Sequence, residues 1–199
     1  MKKFLTLKHW QLFLLLVGVP MIFEFLIIFF AISSRDMRMV FFFFFGLMIV
    51  SMGLCFSWFY ALGTNLFKRL PVTAKMSLIR FKLFLFAAFG YIICFMVFMT
   101  TMFSNVLSGA RPGFAIFAII FPLHFFYMFC VCYCFYFNAK ALKSIELQRP
   151  VTFNDYAGEF FLLWFFPIGV WILQPRINKL FTTIPDDPGD SLFDGYQGQ

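Results

Sequence analysis

The chain has 199 residues, 62% of them hydrophobic and only 13% charged, with a formal net charge of +7. A water-soluble chain of this length cannot bury so much apolar surface, because surface-to-volume scaling limits its core. That leaves an integral membrane protein. Runs such as Phe41–Phe45 and Phe160–Phe166 lack the period-two alternation of barrel strands, so its spans are helices.

About 20 apolar residues cross a hydrocarbon core of roughly 30 Å as a helix. Five stretches meet that requirement: 10–32, 39–62, 83–103, 113–137 and 157–174. The expected fold is therefore all-α, a polytopic integral membrane bundle of five transmembrane helices. Residues 1–180 form a single transmembrane domain, and 181–199 form an acidic disordered tail.

The first stretch follows a basic opening and ends near Ala31-Ile32-Ser33, a superficial match to a cleavable signal. Its apolar run is about twice the usual signal length and contains Pro20 and Glu24, which favours a retained first helix. Six residues, Ser33 to Arg38, join it to the second stretch and force a tight antiparallel pair. The second stretch presents Gly53, Ser57 and Ala61 at intervals of four, a small-residue face on which helix backbones approach closely. Its expected use is packing within the chain, with a homodimer face as the alternative.

The connection to the third stretch contains Pro71, and Thr73 is the expected helix start. The fourth stretch is expected to run on as a helix through Asn138–Gln148 until Pro150 stops it. Thr152 with Asp155 three residues later reads as a capping box for the last helix. Arg149-Pro150-Val151-Thr152 echoes Arg69-Leu70-Pro71-Val72-Thr73. Duplication of a two-helix unit would produce that echo, and so would helix-start chemistry used twice. The fifth stretch is short and holds Pro167 and Gly169. Full crossing is the expectation, and a re-entrant hairpin is the alternative.

Basic residues are unevenly distributed among the loops. Eleven lie on one side (Lys2, Lys3, Lys8, Lys68, Arg69, Lys75, Arg80, Lys82, Lys140, Lys143 and Arg149) and five on the other (Arg35, Arg38, Arg111, Arg176 and Lys179). The positive-inside rule accounts for this without nucleic acid, and it places the N-terminus in the cytoplasm and the C-terminus outside.

Glu24 and His124 are ionisable groups near the centres of their spans, each just after a proline, Pro20 and Pro122. A central charge costs roughly 2.5 to 3.5 kcal/mol on translocon scales, so such groups usually face a partner or a cavity. One reading has the two facing each other. The other has Glu24 neutral and His124 bonded to a carbonyl. His124, Tyr127, Val131, Cys134 and Asn138 fall within an arc of about 80° on the fourth helix, a stripe expected to face other helices. The candidate intramembrane polar site is thus Glu24, His124, Tyr127, Cys134 and Asn138.

Five cysteines, all inside predicted spans, suit small apolar filler better than disulfides or a metal site. No nucleophile elbow, zinc-protease, Walker or dinucleotide motif is present, and only His124 offers an in-membrane base. The chain is expected to be non-enzymatic and free of cofactors and metals, with the lipid bilayer and a membrane-protein partner or homo-oligomer as its contacts. The leading function is a subunit or scaffold of a membrane complex. The alternative is a small transporter or channel subunit using the Glu24/His124 region.

Glu159 is expected in the first turn of the last helix, with Trp171, Gln174, Arg176 and Asn178 at the far interface. The text FNAKALKSIELQRPVTFNDYAGEFFLLWFFPIGVWILQPRIN, with LKHWQLFLLLVGVP and ALGTNLFKRLP, resembles small uncharacterised multi-pass inner-membrane proteins of Bacteroidota bacteria. The resemblance implies a multi-pass location in the bacterial inner membrane and supplies no catalytic residues.

Overall fold

A computed structural model describes residues 3–34, 37–71, 73–109 and 114–183. These are mostly helical, with no strand among the described residues. In chain order the helices are α1 (Lys3–Thr6), α2 (His9–Phe13), a π-helical turn (Leu14–Gly18), α3 (Val19–Ser34), α4 (Met37–Lys68), α5 (Leu78–Leu107), α6 (Phe114–Leu147), α7 (Phe153–Trp164) and α8 (Phe166–Thr183). Among the described residues four helical stretches are long and apolar enough to cross a membrane: His9–Ala31, Met37–Lys68, Leu78–Leu107 and Ala118–Leu147.

From His9 to Ser34 the helix is unbroken, and its π turn has a local cause. Pro20 lacks an N–H and its ring crowds the carbonyl four residues back. The chain absorbs this just upstream by widening one turn, so that the Val19 N–H reaches the Leu14 carbonyl. Met37–Lys68 exceeds the expected second span, and at 1.5 Å per residue its 32 residues measure about 48 Å, more than a hydrocarbon core requires. The excess at its C-terminal end, like that of α6 beyond Phe137, carries polar residues, among them Thr64, Asn65 and Lys68 on α4 and Asn138, Lys140, Lys143 and Glu146 on α6.

Three helix boundaries test the capping arguments. Thr152 and Asp155 do form a capping box, with the Thr152 N–H donating to the Asp155 carboxylate at 2.8 Å. The helix start expected at Thr73 lies instead at Ser77, whose hydroxyl accepts from the Arg80 N–H at 3.4 Å. Upstream of that cap the Ala74 N–H reaches the Pro71 carbonyl at 2.9 Å, and Thr73 lies in a turn rather than at a helix start. The two echoed segments therefore do different jobs, one capping a helix and the other turning the chain. At the end of α6, Gln148 adopts a positive φ of 51°, in the left-handed region, and Pro150 follows.

The expected fifth span is divided. Phe165, with φ −87° and ψ 57°, leaves helical geometry, and Pro167 lies in the first turn of α8, where its missing N–H is an orphan in any case. The chain folds back there. A straight helix would hold Glu159 and Arg176 about 25 Å apart, yet their side chains meet at 2.7 Å. Gly169 makes the fold-back sterically possible, because a Cβ at that position would lie 1.8 Å from the Leu162 carbonyl oxygen. The last residues of α8 pack beside α1, and residues 181–183 extend the helix into the segment expected as tail. Residues 184–199 lie outside the described residues, as do the expectations placed on them.

The buried core sits at the end of the bundle where α1, the end of α4, the start of α5, the end of α6 and the α7–α8 hairpin converge. Trp58, Phe81, Phe137, Leu142, Leu173 and Ile177 are fully buried in it. Phe81 stacks on Phe137 with ring centroids 4.4 Å apart. A Cβ on Gly63 would stand 2.5 Å from the Phe81 ring, so glycine is what lets α4 close on that stack.

Candidate functional site

A dense polar constellation lies where the C-terminal end of α6 meets the α7–α8 hairpin. Lys143 and Glu146, one turn apart near the end of α6, face Glu159 of α7 and Arg176 of α8. The Arg176 guanidinium grips Glu146 with two bonds, Nε to Oε1 at 3.0 Å and Nη2 to Oε2 at 2.6 Å. The same Nη2 reaches Glu159 Oε1 at 2.7 Å, and Lys143 Nζ donates to that oxygen at 3.1 Å. Lys143 also stands 3.7 Å from Glu146. Two cations and two anions close a neutral cluster in which the Glu159 side chain is 6% exposed and Arg176 33%.

Burial alone would raise the Glu159 carboxyl. Hydrogen bonds from Arg176, from its own backbone and from Lys143 outweigh that, so the carboxyl lies below its ordinary value of 4.5. Burial likewise works to lower Arg176, but the two carboxylates hold it above its ordinary value. Asp155, outside the cluster, is lowered by bonds from the Thr152 backbone, the Thr152 hydroxyl and Arg149.

Two residues to either side of Arg176, and so on another face of α8, Gln174 and Asn178 form a second anchor. The α1 turn ends at Thr6, leaving carbonyls at Phe4 and Leu7 without helical partners. The Gln174 amide donates to both, at 3.0 and 3.1 Å, and the Asn178 amide donates to Leu7 at 2.9 Å. Trp171 packs on His9 and Phe13 of α2. Arg69, just past α4, donates to the Leu180 carbonyl at 2.6 Å and lies 4.3 Å over the Phe181 ring. The residues expected at a far interface (Trp171, Gln174, Arg176 and Asn178) thus stand at the same end as the N-terminal helices. Glu159, expected in a first turn, lies in the second turn of α7.

The intramembrane site expected from sequence is not assembled as one unit. Glu24 sits on α3, a helix packed mainly on α4, and its carboxylate has no hydrogen bond or ion pair among the described residues. His124 pairs instead with α5: Tyr91 Oη and His124 Nδ1 are 3.2 Å apart, and Tyr127 stacks on Tyr91 with centroids at 5.0 Å. The α6 stripe does face other helices, but it is divided. His124 and Tyr127 meet α5, whereas Cys134 and Asn138 lie in the core, where the Asn138 amide donates to the Cys134 carbonyl at 2.9 Å. Asn138 Oδ1 is one of four buried polar side-chain atoms without a partner among the described residues, with Trp58 Nε1, Ser144 Oγ and Gln174 Oε1.

The small-residue face on α4 turns toward α5 at Gly53, beside Phe89, and Ala61 is fully buried. Gly53 and Ser57 line an apolar cavity of about 240 Å³ with Phe56, Leu85 and Phe89, so the closest approach falls at Gly63. Among the described residues no group of three His, Cys, Asp or Glu side chains is placed to hold a metal ion.

The charge cluster escaped the sequence reading because its members are spread over 34 residues, from Lys143 to Arg176, and meet only through the fold-back. Its one sequence signal is a Glu and an Arg set in an aromatic-rich segment on either side of Pro167 and Gly169. No family model, curated protein or solved structure matches this chain.

Proposed function

We propose that this chain is a non-enzymatic integral membrane protein of the bacterial inner membrane, acting as a subunit or scaffold of a membrane complex. The observation that carries this reading is the commitment of its polar groups to structure. Both acids of the cluster are bound by Arg176 and Lys143, and the amides of Gln174 and Asn178 serve backbone carbonyls. A general acid or base has to exchange protons with a substrate, and these groups are engaged in holding three chain segments together. Glu24 supports a partner helix within the membrane, since it has no hydrogen bond or ion pair among the described residues and an ionisable group in a spanning helix usually faces a partner or a cavity.

The charge-cluster end is assigned to the cytoplasm. Because α8 returns to the end bearing α1, Arg176 and Lys179 join the basic side, and the division of basic residues becomes thirteen to three. Such asymmetry in short loops is what the positive-inside rule describes. On this reading the end of α8 faces the cytoplasm, where five full crossings would put it outside.

Purification from native membranes in mild detergent tests the proposal. A stoichiometric second protein, lost on Glu24→Gln, supports it. A lone homo-oligomer that carries solute flux in proteoliposomes overturns it in favour of the transporter reading.

A further inference from the structure

We propose that the cavity between the start of α5 and the middle of α6 is a binding site for a phosphate-bearing anion. The cavity measures about 430 Å³ and is lined by Lys75, Ser77, Arg80, Tyr133, Tyr136 and Phe137, among others. Two cationic side chains and two phenols converge there, and among the described residues no carboxylate lines it.

The positive charge is uncompensated. Among the described residues the acids are Glu24, Glu146, Asp155 and Glu159. Glu146 and Glu159 are held by Arg176 and Lys143, and Asp155 by Arg149, while Glu24 lies on α3. Neither Lys75 nor Arg80 has an ion pair among the described residues, in contrast to Lys143, Arg149 and Arg176. Lys140 adds a third cation at the edge, its Nζ donating to Tyr136 Oη at 3.0 Å. With its oxygen accepting from Lys140, the Tyr136 hydroxyl has its own proton to donate, and the Tyr133 hydroxyl carries no hydrogen bond among the described residues. A guanidinium fork, an ammonium and phenol donors on one concave wall match the oxygens of a phosphate ester.

The level of the cavity narrows the ligand further. Just past Arg80, α5 presents Leu83 and Phe86 outward, 64% and 59% exposed, which marks the passage from charged rim to lipid-facing surface. The cavity itself passes from the Lys75/Arg80 rim to the buried Phe137. A phospholipid headgroup and a free phosphate ester share the recognised chemistry, and basic pockets between helices at this level are where anionic lipid headgroups bind.

The test uses the full-length protein in mild detergent, with retained lipid read by native mass spectrometry after mixing with phosphatidylglycerol or phosphatidylcholine micelles. Selective retention of phosphatidylglycerol is expected. It should weaken about tenfold in Arg80→Ala, and further with Lys75→Ala added, as charged hydrogen bonds are lost. Arg80→Lys should retain most of the binding, and all variants should keep the wild-type melting temperature because both side chains are exposed. Displacement of the lipid by inorganic phosphate alone identifies a soluble phosphate ester as the source. Resistance to phosphate identifies the lipid. Unselective retention, or equal binding by Arg80→Ala/Lys75→Ala, overturns the proposal. So does binding seen only when Asp186, Asp187, Asp190 and Asp194 are all changed to Asn, which would assign the cavity to the chain's own acidic segment.

Discussion

The two ends of the bundle are built on different principles. At the charge-cluster end, contacts are directional: an arginine fork on two carboxylates, amides on named carbonyls and a Phe81–Phe137 stack seated against Gly63. At the opposite end, α3 and α4 enclose an apolar groove of about 330 Å³ lined by Phe23, Leu26, Ile27, Phe30, Met39, Val40 and Phe43. Phe25, Phe29, Phe30 and Phe42 point outward there, each at least 65% exposed. Its tighter contacts include Phe41 stacked on Phe103 at 4.4 Å and Arg38 donating to Ser108 at 2.7 Å. Lipid is as apolar as phenylalanine, so hydrophobicity does not draw helices together within a bilayer, and packing shape and polar contacts must do so. The end that has them is closed, and the end with few of them is open.

This contrast breaks most directly at Gly169. Gly169→Ala places a methyl against the Leu162 backbone, which cannot yield as a side chain would. A destabilisation of about 3 kcal/mol or more is expected, read as a lowered melting temperature in detergent. A wild-type melting curve would show that the fold-back does not need glycine. Arg176→Ala should follow at about 2–3 kcal/mol, since it leaves Glu159 buried with only Lys143 as partner. Combining it with Glu159→Gln should recover part of the loss, and strict additivity would argue against direct coupling.

Gly63→Ala should cost about 1–3 kcal/mol by forcing the Phe81 ring off Phe137. Acid should loosen the same end. Glu159 is lowered in the folded protein, so its contribution is complete above its ordinary value of 4.5 and is lost as pH falls through the lower folded value. The melting temperature should therefore drop below about pH 4.5, and less steeply in Glu159→Gln. The smallest effect belongs to the open end, where Phe29→Leu should shift stability by less than about 0.5 kcal/mol. A larger loss there would mean that the open face is occupied in the purified protein.

Much of the fold is legible in the chain itself. The four long apolar helices, the run of α6 past Asn138 and the Thr152–Asp155 capping box all follow from hydropathy and local hydrogen bonding. The position of the α5 cap was less so: the sequence points to Thr73, but with the Ala74 N–H bonded to the Pro71 carbonyl the helix starts only at Ser77. Glu24 and His124 look like a pair on paper, since both are ionisable and both follow a proline. α3 packs mainly on α4, whereas His124 meets Tyr91 of α5, and hydropathy and spacing do not encode that choice.

Composition and spacing decide which segments are apolar enough for lipid, roughly where helices run and which loops gather positive charge, because solvation and backbone hydrogen bonding act over a few residues at a time. They leave open whether the last apolar segment crosses or returns. In a bilayer either path satisfies the backbone. The choice rests on contacts that form only after folding: Gly169 admitted against Leu162, Arg176 brought back to Glu146 and Glu159, and Gln174 set on the carbonyls of α1.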